Sequence, residues 1–201
     1  MTTDRLEAFS DGVMAIVITI MILELKTPHG ADIGALRGLI PAFTAYILSF
    51  IFLAIYWNNH HHMLHATSQV NGTILWANMH LLFWLSLIPA TTAWIGANPR
   101  APWPAAVYGI VLFGAAVSYT LLQNCIIALN GRDSVLGDAV GGDRKGKLSL
   151  ALYAMAIPLA FVHPWISDTL YVVVAVIWLV PDRRIEEKLA GRVGNLKLEG
   201  R

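Results

Sequence analysis

The chain has few charged residues and one cysteine. Asp, Glu, Lys and Arg make up 13% of its 201 residues, whereas 56% of the residues are hydrophobic. The segments 38–99 and 101–131 contain no Asp, Glu, Lys or Arg. A soluble domain needs surface charge for solubility, and a disordered chain needs low hydrophobicity and high net charge. The composition therefore excludes both of these classes.

Three further scarcities narrow the choice of function. The formal net charge is +1, so the chain lacks the clustered basic surface of a nucleic-acid binder. Cys125 stands alone, which excludes a disulfide within the chain. The sequence has no Gly-rich phosphate loop, no zinc-protease motif and no recognisable nucleophile–base spacing. We therefore expect neither an enzyme nor a bound cofactor.

Long apolar runs are the main positive feature. A membrane-spanning helix needs about 20 mostly apolar residues, and Gly and Pro clusters divide the chain into six such candidates. The predicted spans are Asp4–Leu25, Leu39–Trp57, Ile74–Ile95, Trp103–Leu129, Leu148–Trp165 and Ser167–Val180. The sequence thus predicts an all-α, polytopic protein with a six-span domain over 1–185 and a charged cytoplasmic tail over 186–201.

The distribution of Lys and Arg predicts the orientation in the membrane. With the N-terminus inside, the inner segments hold Arg5, four basic residues in 130–147 and six after Val180. The outer segments hold Lys26, Arg37 and Arg100. We therefore predict that both termini are cytoplasmic.

The first span has two distinct faces when it is drawn as a helix at about 100° per residue. One stripe consists of Phe9, Val13, Ile16, Ile20, Leu23 and Thr27, with Gly12 and Thr19 at its edge. The nearly opposite stripe consists of Glu7, Asp11, Met14, Ile18, Ile22 and Leu25. The aliphatic stripe is typical of helix packing and also of a hydrophobic constriction that gates a pore by dewetting.

Asp11 needs a partner, because a carboxylate inside a membrane is costly unless it is paired. The candidates are Arg5, Ser10 and the histidines of the loop predicted over 58–73, His60, His61, His62 and His65. Two interpretations remain open at this point. Asp11 belongs either to a polar cluster that fixes the first helix to its neighbours or to an ion or proton site.

The start of this helix resembles a known family. Arg5-Leu-Glu-Ala-Phe9-Ser10-Asp11-Gly12 is followed by an aliphatic run that contains Thr19 and ends at Leu23. This pattern is similar to the signature of the transmembrane protein 175 family, the lysosomal potassium channels of animals and their prokaryotic relatives. Trp57 with His60, Asn78, and Pro89 followed by Thr91 and Thr92 resemble positions of the second and third family helices. One six-span unit fits the prokaryotic type.

The resemblance implies a homotetramer with a central pore lined by the first helix of each subunit. Ile16 matches the narrowest hydrophobic constriction, and Ile20 and Leu23 match further layers. Thr19 matches a hydroxyl that contributes to cation preference. The remaining matches form a structural polar motif that holds the pore helix, namely Arg5, Phe9, Ser10, Asp11, Trp57, His60 and Asn78.

The leading hypothesis is therefore a channel for potassium ions in a prokaryotic plasma membrane, with modest selectivity over sodium. Its partners are other copies of the chain, the lipid bilayer and monovalent cations. The alternatives are a proton-coupled or metal-ion transporter that uses Asp11 and the histidines, and a membrane-embedded enzyme or assembly factor. A metal site on His61 and His65 is a weaker possibility. Asp168 is interpreted as the cap or first-turn acid of the last span.

Overall fold

Helices make up nearly all of the structure, a computed structural model that describes residues 3–28, 30–131, 134, 136–137 and 143–179. The α-helices with described bounds are α1 (Thr3–Leu23), α2 (Ile40–His65), α3 (Gly72–Ser86), α4 (Ile88–Ala97), α5 (Pro102–Asn130), α6 (Arg144–Leu159) and α7 (Pro164–Leu179). A 3₁₀ helix over Ile33–Leu39 leads into α2. The described residues form no strand, in agreement with the all-α prediction. The predicted tail over 186–201 lies outside the described residues.

Polar caps and prolines start the helices where the sequence changes character. The Asn71 side chain accepts a hydrogen bond from the Ile74 amide and caps α3. The Asp143 carboxylate accepts one from the Gly146 amide and caps α6. Each cap satisfies one of the backbone N–H groups that a helix start leaves without a partner. Pro102 begins α5, where a missing N–H costs nothing.

Within the described residues, four segments are long and apolar enough to cross a membrane, namely Thr3–Leu23, Ile33–His65, Gly72–Ala97 and Pro102–Asn130. The helices α6 and α7 have 16 residues each, or about 24 Å at the helical rise. This is shorter than the hydrocarbon core of about 30 Å. The described part is thus a helical membrane protein with four span-length segments, and the count of six spans stays a prediction.

The second span is longer than predicted. Its predicted end was Trp57, followed by a loop over 58–73, but α2 continues to His65 and the connection covers only 66–71. A helix does not end where its side chains become polar, because its backbone hydrogen bonds remain available beyond the membrane. The histidines therefore lie on a helix and not in a loop.

The third and fifth spans also differ from their predicted bounds. The third is divided at Leu87 into α3 and α4, because Pro89 has no N–H to continue the hydrogen-bond ladder of α3. The fifth is displaced toward the N-terminus, since α6 begins at Arg144 and ends at Leu159. Trp165, predicted to end the fifth span, belongs to α7.

Helix α5 lies in the middle of the bundle and packs against α3, α4, α6 and α7, while α1 packs against α2, α3 and α4. Close approach of α5 to α3 depends on Gly114, because a Cβ there would overlap the Trp84 ring. A hydroxyl cluster joins three helices in the core: Ser49 Oγ lies 2.6 Å from Thr92 Oγ1 and 2.9 Å from Tyr108 Oη. This packing leaves α1 at the edge of the bundle.

Candidate functional site

One face of α1 is buried against the other helices. Its members recur every three or four residues, as a helical stripe requires. They are Leu6, Ser10, Met14, Val17 and Met21. This stripe is apolar except for Ser10. The sequence placed Met14 and Ile22 together on the face opposite the aliphatic stripe. That face is only partly buried, since Met14 is buried but Ile22 is exposed.

The aliphatic stripe of α1 is uncovered in the single chain. Ile16 is 58% exposed, Ile20 45% and Leu23 79%. Val13, Ile16 and Ile20 line a groove of about 410 Å³ that α1 shares with α4. Thr19 is also exposed, and its hydroxyl donates to the Ile16 carbonyl at 2.9 Å. The four residues predicted to line a pore thus lie on the surface of the subunit.

A buried polar network fixes the other side of α1. His60 Nε2 donates to Asn78 Oδ1 at 2.7 Å, and Asn78 Nδ2 donates to Ser10 Oγ at 2.9 Å. Ser10 in turn donates to the Leu6 carbonyl at 2.8 Å. All three side chains are fully buried. Because the amide of Asn78 can bridge His60 and Ser10 in only one orientation, the network links α1, α2 and α3 in a defined register.

Asp11 has a different partner from those predicted. Its Oδ1 accepts a hydrogen bond of 3.0 Å from Trp57 Nε1, whereas the sequence suggested Arg5, Ser10 or a histidine. Arg5 is exposed and makes no ion pair within the described residues. Phe9 is also exposed, beside the aliphatic stripe. The structure therefore brings five of the eleven predicted site residues into two groups, the Asp11–Trp57 pair and the Ser10–Asn78–His60 network. It places the other six on the surface.

His61 and His65 stack on one side of α2. His61 and His65 have parallel rings with centroids 5.4 Å apart, and Trp57 stacks on His61 at 6.0 Å. His61 Nδ1 lies 2.6 Å from Glu7 Oε1, which joins α1 to the end of α2. Within the described ranges, no three His, Cys, Asp or Glu side chains are placed to hold a metal ion. Stacked rings direct their nitrogens side by side, while a metal needs converging ligands.

The fold and this geometry define a class: a helical membrane protein whose first helix is anchored on one side by buried polar contacts and carries an uncovered apolar stripe on the other. Comparison with known proteins assigns the family. Residues 5–89 match the family model described as endosomal/lysosomal potassium channel TMEM175.

Several relatives match over most of the chain. A protein named a potassium channel from Chryseobacterium sp. (strain P1-3) is 52% identical, over 94% of this chain and 98% of its own length. The crystal structure of a lysosomal potassium-selective channel TMEM175 homolog from Chamaesiphon minutus superposes with a TM-score of 0.80 at 27% identity, covering 90% of this chain and 97% of that one. The human endosomal/lysosomal proton channel TMEM175 is 28% identical over 80% of this chain and 36% of its own length.

The chain belongs to the TMEM175 family, which confirms the resemblance seen in the first helix. Sequence reasoning missed two contacts. The Trp57–Asp11 hydrogen bond was not predicted, because Trp57 was placed at the end of the second span and was not considered as a partner of Asp11. The Ser49–Thr92–Tyr108 cluster had one available signal, hydroxyl side chains inside three apolar segments.

Proposed function

We propose that four copies of this chain form a potassium-permeable cation channel whose central pore is lined by α1. The observation that carries the proposal is the uncovered Ile16–Ile20–Leu23 stripe on a helix held rigidly from behind. An exposed apolar stripe of this kind marks a surface that lipid or another protein covers, and assembly around an axis is one way to cover it. The names of the bacterial relatives, which are called potassium channels, support potassium as the permeant ion.

The proposed ion path is hydrophobic at its narrowest point. Ile16 forms the neck, Ile20 and Leu23 form further layers, and the Thr19 hydroxyl provides an oxygen between them. Aliphatic side chains repel water from a narrow passage, so the closed channel is dewetted and opening requires the neck to widen. Aliphatic carbons do not replace an ion's hydration shell, and we therefore expect modest selectivity for potassium over sodium.

The polar contacts behind α1 have a structural role in this proposal. The Ser10–Asn78–His60 network and the Asp11–Trp57 bond hold the helix at a fixed rotation, which sets the side chains that face the axis. Arg5 and Phe9 lie on the exposed side of the same helix end, where they are available to a neighbouring subunit. None of these polar groups is assigned to the ion path.

The proposed location is the plasma membrane of a prokaryote, in keeping with the bacterial relatives. In the six-span arrangement α6 and α7 also cross the membrane, as short or tilted helices. Both termini then lie on the cytoplasmic side, because most Lys and Arg residues flank that end of the spans.

Ion currents in planar bilayers test the neck. Ile16→Asn places an amide at the constriction, which wets it, so we expect a larger current and a lower potassium-to-sodium permeability ratio. Ile22→Asn is the matched control, because Ile22 is 44% exposed but lies about 120° from Ile16 around the helix. Equal changes in the two variants, or none in Ile16→Asn, would remove Ile16 from the pore.

A second function, proton conduction, is suggested by the name of the human relative. Proton flux into liposomes measured in the absence of permeant metal cations tests it. The transporter alternative is distinguished in the same assay by Asp11→Asn. A transporter predicts that the flux of the unmodified protein saturates and that Asp11→Asn abolishes it while the protein stays assembled. The channel predicts that Asp11→Asn weakens assembly, because a neutral amide oxygen replaces the charged acceptor of the Trp57 hydrogen bond.

A further inference from the structure

A second cavity lies at the opposite end of the bundle from Asp11 and His61. It has a volume of about 210 Å³ and lies between the beginnings of α2, α5 and α7 and the end of α4. Its wall is mostly apolar and includes Pro41, Ala45, Leu48, Ile95 and Val172. Asp168 is the one acidic residue among the described residues of the wall. This cavity is separate from the proposed ion path on α1.

Asp168 is not the helix cap that its position suggested. It is the fifth residue of α7, whose first turn contains no acidic residue. Its Oδ1 is shielded from solvent and has no hydrogen-bond partner among the described residues. Nor does any Lys, Arg or His in that part of the chain form an ion pair with it. A shielded carboxylate oxygen without a donor is costly, so Oδ1 is available to a donor group that enters the cavity.

The hydroxyl groups around the cavity already donate elsewhere. The Tyr171 hydroxyl donates to the Ala105 carbonyl at 2.9 Å. The Tyr108 hydroxyl lies 2.9 Å from Ser49 Oγ, and the Thr44 hydroxyl donates to the Ile40 and Pro41 carbonyls. The wall therefore offers a carboxylate acceptor without a matching donor. Its chemistry suits a ligand that brings N–H donors and a positive charge.

We propose that this cavity binds the ammonium group of a small organic cation, with Asp168 as its counter-ion. A divalent metal cation fits poorly. Calcium takes about six to eight oxygen ligands and magnesium takes an octahedral set of about six, whereas the wall supplies one carboxylate among mostly apolar side chains. The apolar side chains instead accommodate the carbon atoms of an amine. The volume is adequate, since a cavity of about 150 Å³ admits benzene.

Two sources supply such an ammonium group, a free amine and the amine headgroup of a phospholipid. The cavity lies at the bundle end where the exposed Trp103 and Trp165 are found, and tryptophan is enriched at membrane–water interfaces. Both sources reach this level of the membrane. The binding chemistry is the same for either one, and the experiment separates them.

Binding of propylammonium to the purified, assembled protein in detergent tests the free amine, with potassium chloride at equal ionic strength as the reference. We expect saturable binding that Asp168→Asn weakens about tenfold or more, as the loss of a hydrogen bond to a charged group predicts. Asp4→Asn is the charge-matched control, because Asp4 is exposed at the other end of the bundle. Val172→Phe, which narrows the cavity without removing the charge, should also weaken binding.

Native mass spectrometry from membranes containing phosphatidylethanolamine tests the lipid. The site is assigned to the headgroup if the unmodified protein retains that lipid, Asp168→Asn loses it, and propylammonium does not bind. The proposal is overturned if neither probe binds, or if Asp168→Asn binds both as well as the unmodified protein. Because both measurements record binding and not current, their outcome is independent of the proposed channel function.

Discussion

Ser10 is the residue through which α1 is tied to the rest of the subunit. It is fully buried and accepts the Asn78 amide hydrogen bond while donating to its own helix. Ser10→Ala removes the acceptor and leaves Asn78 Nδ2 buried without a partner. We expect a loss of about 1–3 kcal/mol in the free energy of unfolding, measured by equilibrium unfolding in mixed detergent micelles.

Ser86→Ala is the matched control for this experiment. The Ser86 hydroxyl also donates to a carbonyl of its own helix, that of Phe83 at 2.7 Å, but Ser86 is exposed and accepts no hydrogen bond from another of the described helices. Its replacement should change stability by less than about 0.5 kcal/mol. A Ser10→Ala variant as stable as Ser86→Ala would contradict the anchoring role.

At this scale the sequence identified the residues better than their contacts. The Phe9-Ser10-Asp11 motif indicated the segment that contacts α2 and α3, because its polar groups are conspicuous in an apolar helix. The partner of Asp11 could not be derived, since it depends on the rotation of α1 relative to α2. The buried Leu6–Ser10–Met14 stripe lies about 100° from the aliphatic one, and this rotation puts Asp11 beside Trp57.

At the scale of elements, the packing of α5 against α3 depends on a glycine. A Cβ at Gly114 would overlap the ring of Trp84, whereas a Cβ at Gly72, at the start of α3, meets no atom within 4 Å. Gly114→Ala should therefore destabilise the protein by about 1–3 kcal/mol through overpacking. Gly72→Ala should change stability by less than about 0.5 kcal/mol.

Thermal unfolding of the two glycine variants, followed by tryptophan fluorescence, measures this difference. The two substitutions add the same methyl group, so only the surroundings distinguish them. Similar unfolding temperatures for both variants would show that α3 and α5 are not in the close contact described.

Helix bounds were harder to predict than helix identity. Hydropathy locates the apolar part of a helix, and each predicted span overlaps an observed helix. It does not record the polar extension of α2 to His65 or the division of the third span before Pro89. The first depends on backbone hydrogen bonds that continue into water, and the second on the exact position of one missing N–H.

At the scale of the whole molecule, the single chain leaves its most informative surface open. A helix that is buried on the side of Ser10 and apolar on the side of Ile16 needs a second covering, from lipid or from other copies. Neither periodicity nor composition distinguishes these two coverings, since both are apolar. The family resemblance supplied the tetramer as a proposal, and it was the one source of that proposal available in the sequence.

The central claim is that α1 surrounds a pore on the symmetry axis of a tetramer. An electron cryomicroscopy map of the protein in lipid nanodiscs tests it most directly. We predict four copies related by one axis, with Ile16, Ile20 and Leu23 of each α1 nearest to that axis and the narrowest point at Ile16. A monomer, another symmetry, or an axis lined by a different helix would contradict the account.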